Sequence, residues 1–266
     1  MNNSNLNRGF TIAFLLSACA IAGCGGTKVL KEPQPMQTTQ PLAAISDQRV
    51  AATLDWVIVR DGPGTWAKNA DWDEYLLRVN NRTDQPIKVT QVIVVDSLDT
   101  RIEPQSGRKQ LVKSSKKTAR RYKESGIKVK AGRGAGTMLV AGAAVTVVGV
   151  GVANAALGVG LMSGATTAGS MGAAASGLLL LGPALAVGGI VRGVNNSKVN
   201  LQIELRQTVL PLEIPAGEEL SIDVFFPLAP SPTMVVLTYT DASGEHSLFI
   251  DTSTALDGLH IDAATK

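Results

Sequence analysis

Between Arg133 and Arg192 the chain runs for 58 residues without a charged side chain, and 14 of these are glycine and 14 alanine. A soluble core does not easily cover so long an uncharged run, so a membrane element is the default expectation. The length suits two helices. Thr137 to Met162 supplies 26 residues and Gly172 to Val191 supplies 20, joined by the polar turn Ser163 to Met171. At about 1.5 Å per residue each spans an apolar layer of roughly 30 Å. A hairpin also returns the chain to the side it left. Pro183 kinks the second helix, while Asn154 either bonds across a helix interface or is a helix defect. Glycine is a poor helix former in water, about 1 kcal/mol worse than alanine. The alternative is therefore a run that stays unstructured until it meets lipid or a partner.

The small residues are spaced as well as frequent. Ala135, Gly142, Gly149, Ala156 and Ser163 recur every seven, as do Ala144, Gly151, Gly158, Ala165 and Gly172. Gly160, Gly164, Ala168, Gly172 and Ser176 recur every four. Such spacing lets helix backbones approach closely, and in lipid that packing drives association. The pattern resembles the glycine zipper of several outer-membrane lipoproteins and some pore-forming peptides. The resemblance makes Gly142, Gly149, Gly151, Gly158, Gly160, Gly164 and Gly172 the helix-packing positions. Composition alone also generates some such series, and packing within one hairpin or between copies remains open.

The first residues are of a different kind. Arg8 precedes a mostly apolar run from Phe10 to Ala22, followed by Ile21-Ala22-Gly23-Cys24. A charged start, a short apolar core and small residues at the cut mark an export signal. The tetrapeptide resembles the lipobox of bacterial lipoproteins, which implies that the Cys24 thiol takes a diacylglyceryl group and Cys24 becomes the new N-terminus. Leu16-Ser17-Ala18-Cys19 competes, but leaves a core of only Phe10 to Ala18. The chain has two cysteines, both here, so cleavage before Cys24 leaves neither a free thiol nor a disulfide. Several acyl chains exceed what stable anchoring needs. Residues 25–48, with Pro33, Pro35 and Pro41, are expected to be an extended linker without a core of its own.

From Arg49 the texture turns to period two. Thr53–Arg60, Glu74–Asn80 and Ile87–Asp96 are expected strands, with Leu54, Trp56 and Ile58 on one face of the first. Lys198–Arg206, Leu220–Phe226, Met234–Thr240 and His246–Asp251 follow, the last two joined by a hairpin loop at 241–245. These are short runs bounded by turn residues. Each half is small for a stable core, and together they have the size of one β-sandwich. The expected fold is mainly β, one sandwich in two halves (49–105 and 198–252) with a tail at 253–266. A basic arm (106–133) and an inserted Gly/Ala-rich helical hairpin (134–192) interrupt it, after a signal peptide (1–23) and linker (24–48). Leu212–Phe226 resembles the later strands of immunoglobulin-like sandwiches in envelope proteins, a likeness of fold only.

The basic arm holds eleven Lys and Arg between Arg108 and Arg133 against Glu124, a local net charge of +10 in a chain of +3. Anionic head groups attract such charges by about 1 kcal/mol each near the surface. Lys113, Lys116, Lys117, Arg120, Arg121 and Lys123 are the expected contacts, on a helix compatible with 113–124. A solvated helix leading into the membrane is the plainer alternative. Nucleic acid is not an expected partner of an exported lipoprotein. Positive flanks favour the cytoplasm, yet the hairpin is weakly hydrophobic, with eleven Gly or Ala among residues 137–162. It can pass the export channel and insert later. Gly25, where an aspartate would resemble an inner-membrane retention signal, also favours the outer membrane.

Catalytic patterns are lacking. His246 and His260 have no second ligand at metal spacing. Asp71, Asp73 and Glu74 around Trp72 fit a solvated turn better than a calcium loop. Gly132–Gly136 lacks the lysine of a phosphate loop and reads as a flexible joint at the membrane edge. No Gly-x-Ser-x-Gly turn occurs. No cofactor or metal is expected. The expected function is that of a non-enzymatic envelope component that assembles with itself or with an export or surface apparatus. Pore formation and periplasmic ligand binding are the alternatives.

Overall fold

A computed structural model describes residues 27–33, 40–136 and 195–262. The chain order is β1 (Lys28–Val29), β2 (Ala43–Ser46), β3 (Val50–Ile58), β4 (Ala67–Lys68), β5 (Trp72–Asn81), β6 (Ile87–Val95), β7 (Arg101–Ile102), α1 (Arg108–Glu124) and β8 (Lys128–Val129). After the long run come α2 (Asn195–Arg206), β9 (Leu212–Ile214), β10 (Glu219–Pro227), β11 (Met234–Asp241), β12 (Gly244–Asp251) and β13 (Ile261–Asp262). The fold is mainly β, and every strand pairing is antiparallel.

One sheet has the order β10-β5-β3-β2, and a second has β12-β11-β6-β7 with β9 also on β6. The two halves of the sequence are knitted together in both. β10 pairs with β5 from Glu219↔Asn80 to Pro227↔Trp72, and β11 pairs with β6. Val57, Tyr75, Leu77, Val79 and Val224 of the first sheet share one buried cluster with Val89, Val94, Val235, Leu237, Tyr239 and Ile250 of the second. Aromatic edges lock part of it, with Tyr75 and Phe226 meeting at 72° and 5.0 Å between centroids.

Three expectations fail here. The stretch from Lys198 to Arg206 is helical, within α2, not a strand. Its alternation of Val199, Leu201, Ile203 and Leu205 fits either period, because i and i+4 share a face in both structures. Only Val199 and Ile203 are buried, while Leu201 and Leu205 are exposed, which is the helical solution. Second, the face of β3 changes within the strand. Leu54 lies opposite Leu77 but Trp56 lies opposite Leu76, with a register shift at Asp55. Neighbours on β5 point to opposite sides, so Leu54 is on a different face from Trp56 and Ile58. Third, the N-terminal stretch is not structureless. β1 pairs with β4 and β2 pairs with β3, and Leu42 and Ala43 are in the core.

α1 is longer than expected and packs through Leu111, Ser115, Thr118 and Tyr122, the i, i+4, i+7, i+11 stripe of a helix lying on a core. Ser115 Oγ accepts from the Leu228 N–H (3.0 Å), and the Tyr122 hydroxyl donates to Pro230 O (3.2 Å). These bonds pin α1 to the chain that leaves β10. Among the described residues no helix is long and apolar enough to cross a membrane. The expected hairpin lies outside the described residues from 137 onward, as do its packing glycines and Cys24.

Candidate functional site: a basic helix face over a buried charge layer

The packing stripe of α1 leaves its other side to solvent. Lys113, Lys116, Lys117, Arg120 and Lys123 are exposed there together with Lys109, and Lys128, Lys130 and Arg133 follow. An ion pair between Arg120 and Glu124 (3.3 Å) runs along this surface, and Asp262 pairs with Lys128 (3.2 Å) and Arg133 (3.8 Å) at its far end. Arg121 departs from the expected set. Its guanidinium turns in to the fully buried Asp96 carboxylate, which also accepts the Leu98 and Thr100 N–H groups (3.0 Å each). Position 121 lies next to the buried stripe residue Tyr122, so its side chain is close enough to reach the sheet. Burial pushes the Tyr122 phenol up.

The glycine-rich segment after α1 is a fitted turn where a flexible joint was expected. Gly132 and Gly134 have φ of +77° and +78°. A Cβ on Gly132 would come within 2.1 Å of Arg60 O, and one on Gly134 within 2.8 Å of Gly258 O. Only glycine meets both demands. His260, in the expected tail, is fully buried and fastens this turn. Its N–H donates to Arg133 O (2.7 Å), and its Nδ1 accepts the Gly132 N–H (3.0 Å). With Nδ1 accepting, the ring proton is on Nε2 and is donated to Asp73 Oδ2 at 2.8 Å. Asp73 Oδ1 and the Tyr75 hydroxyl, both buried, have no hydrogen-bond partner among the described residues. Burial, with Asp73 nearby, holds the Tyr75 phenol well above its usual range.

The acidic cluster at 71–74 is not a solvated turn. Asp71 pairs with Arg60 (2.6 Å), Asp73 with His260, and Glu74 lies under α2. Trp66 Nε1–H donates to Glu74 Oε2 (2.6 Å), and Arg206 Nη1 donates to Oε1 (3.4 Å). The Arg206 guanidinium also sits 5.0 Å over the Trp66 ring, and Trp66 meets Phe225 edge-on at 6.3 Å. Asp223 is on the same face of β10 as Phe225. Its pKa is pushed up to about 7 by burial, reinforced by the Glu74 charge and opposed by Arg206. Burial raises Glu74 as well, against the pull of Arg206 and the Trp66 bond. Two carboxylates thus share one guanidinium beneath α2. Sequence reasoning missed this layer. The one signal for it was that acidic residues directly adjoin the alternating Tyr75, Leu77 and Val79, so the strand extends through them.

The Ser243, His246 and Asp241 side chains do not have the geometry of a serine relay. Ser243 Oγ, Asp241 Oδ1 and Arg49 Nη1 all approach the same ring nitrogen of His246, Nε2, at 3.0, 3.1 and 2.9 Å. A serine relay needs its hydroxyl and carboxylate on opposite nitrogens. This group caps the β11–β12 hairpin, and the Ser243 hydrogen bond, with His246 in support, holds the Asp241 carboxyl well below its usual range. Among the described residues no group of three or more His, Cys, Asp or Glu is placed to hold a metal. A groove of about 480 Å³ opens between Pro104 and the chain after α2, at Thr208 to Leu210. Comparison with protein-family models, curated proteins and solved structures gives no match.

Proposed function

We propose that this chain is a non-enzymatic lipoprotein of the bacterial outer membrane, a structural or assembly component of the envelope or of an export or surface apparatus. In this reading Cys24 carries the lipid, and the two sheets form an immunoglobulin-like β-sandwich. Residues 134–192 are a helical hairpin inserted in that sandwich, through which copies self-associate. The observation that carries it is the outward row of cations on α1. That row continues through Lys130 and Arg133 and stops where the uncharged run begins. A surface of that sign beside a run of that kind is suited to anionic head groups.

The N-terminal end supports the same orientation. Thr27 is already buried, with its hydroxyl 3.5 Å from Asn69 O. Three residues of chain reach at most about 10 Å, so a lipid on Cys24 holds the domain against the bilayer and not away from it. Ala135 packs at Gly62 in the loop before β4, and Asn69 lies in the connection after β4, so the start of the uncharged run meets the same β3–β5 connection that holds Thr27. The test is crosslinking of the full chain in membranes. Gly149→Leu with Gly158→Leu is expected to abolish oligomers, and unchanged crosslinking sinks the self-association reading. Dye release from liposomes by the purified protein would instead favour a pore.

A further inference from the structure

We infer that α2 lies along the bilayer surface, with Leu201 and Leu205, followed by Val209, dipping into anionic lipid. The inference rests on the proposed membrane attachment and adds the element that touches the lipid. Along a helix of about 100° per residue, Val199, Ile203 and Arg206 fall on one stripe. Val199 and Ile203 are fully buried there, and Arg206 reaches Glu74 and Trp66. Leu201 and Leu205 project roughly 160° round from that stripe. They are 52% and 59% exposed, and Val209, just past the helix, is 78% exposed. α2 therefore has apolar residues on two opposite sides, and the protein covers only one.

An isolated exposed leucine needs no explanation. Here three of the four large apolar side chains exposed among the described residues fall within nine residues, two of them at i and i+4 of α2 and Val209 in the chain just after it, the fourth being Phe249 on β12. Two observations select lipid as the cover. The described part of α2 opens at Asn195, three residues after Arg192 ends the uncharged run, so the apolar residues follow closely on where the chain would leave the bilayer. It also lies beside the basic helix, since the Arg108 N–H donates to Asn200 Oδ1 at 3.3 Å. Arg206 turns inward and Glu204 is exposed on α2, so the positive charge beside these leucines is that of the neighbouring α1, and apolar side chains beside such a face suit the head-group region of an anionic membrane. Glu204, also on the outer side of α2, borders the groove towards Pro104.

Depth-dependent quenching tests this on the full acylated chain in vesicles of phosphatidylethanolamine and phosphatidylglycerol. Cys24 is blocked in the proposed protein, so Leu205→Cys, Leu201→Cys or Phe249→Cys each offers one thiol for a fluorophore. Nitroxide-bearing lipid is expected to quench the labels at 201 and 205 severalfold more than the label at 249. Equal quenching at all three overturns the inference. So do labels at 201 and 205 that are shielded from both lipid nitroxide and aqueous iodide, which would mean a protein partner covers the stripe. Labelling of the parent chain at Cys24 would instead defeat the anchoring reading. An intact anchor with unquenched leucine sites defeats the placement of α2 alone.

Discussion

Replacing Asp223 by asparagine should stabilise the protein, and the gain should depend on pH. The folded chain holds the Asp223 proton up to about pH 7, whereas the ordinary value is 3.8. Unfolding in that interval releases the proton, so this group's contribution is fully present below about pH 4 and is lost as pH rises through 7. At full burial a rise of that size corresponds to about 4 kcal/mol. Asp223 keeps partial access to water, so about 2 kcal/mol is the expected magnitude. The attraction of Arg206 that asparagine forfeits is already included in the raised value. Glu74 shares that arginine, so the observed titration belongs to the pair. Urea unfolding of parent and Asp223→Asn in detergent at about pH 4, 6 and 8 reads the effect. The gain should be small at about pH 4 and largest at about pH 8. Equal stability at all three values, or a less stable variant at about pH 8, refutes the reasoning.

Other perturbations separate the remaining claims. Ile203→Ala should cost about 2–5 kcal/mol, while Leu205→Ala in detergent should stay within about 0.5 kcal/mol; similar costs for both would restore the strand reading of this segment. Gly132→Ala should destabilise by about 2 kcal/mol or more, because its φ is positive and the added methyl meets Arg60 O; an unchanged melting temperature contradicts that. Charge reversal at Lys113, Lys116, Lys117 and Arg120 should reduce flotation with anionic vesicles of a chain lacking the lipid, and the parent's binding should weaken with salt. Salt-independent binding by both would remove the basic face from the account.

Much of the sheet structure was legible because alternation and turn residues agree there. β5, β6, β10, β11 and β12 lie within two residues of where the pattern puts them. The misread parts have local causes. Alternating apolar residues at 199–205 fit a helix and a strand equally, and only the sheet face waiting for Val199 and Ile203 decides between them. Asp55 inserts one residue in β3 and inverts everything after it, and no composition marks that bulge. Its carboxylate is held by Arg78 at 2.6 and 2.9 Å, a partner 23 positions away. The candidate site was half legible. The cations of α1 are visible as a run, but the inward turn of Arg121 depends on Asp96 in another element. Buried Asp73, Glu74 and His260 look solvated in sequence because charge ordinarily means surface. Each is kept inside by a partner that only the fold supplies.

The intact mass of the full protein, extracted from the membranes of cells that make it, tests the central claim most directly. A chain beginning at Cys24 and heavier than its sequence by a diacylglyceryl group and an amide-linked acyl chain is the expected result. A polypeptide of unmodified mass with a reactive thiol, recovered from the aqueous phase, would contradict it.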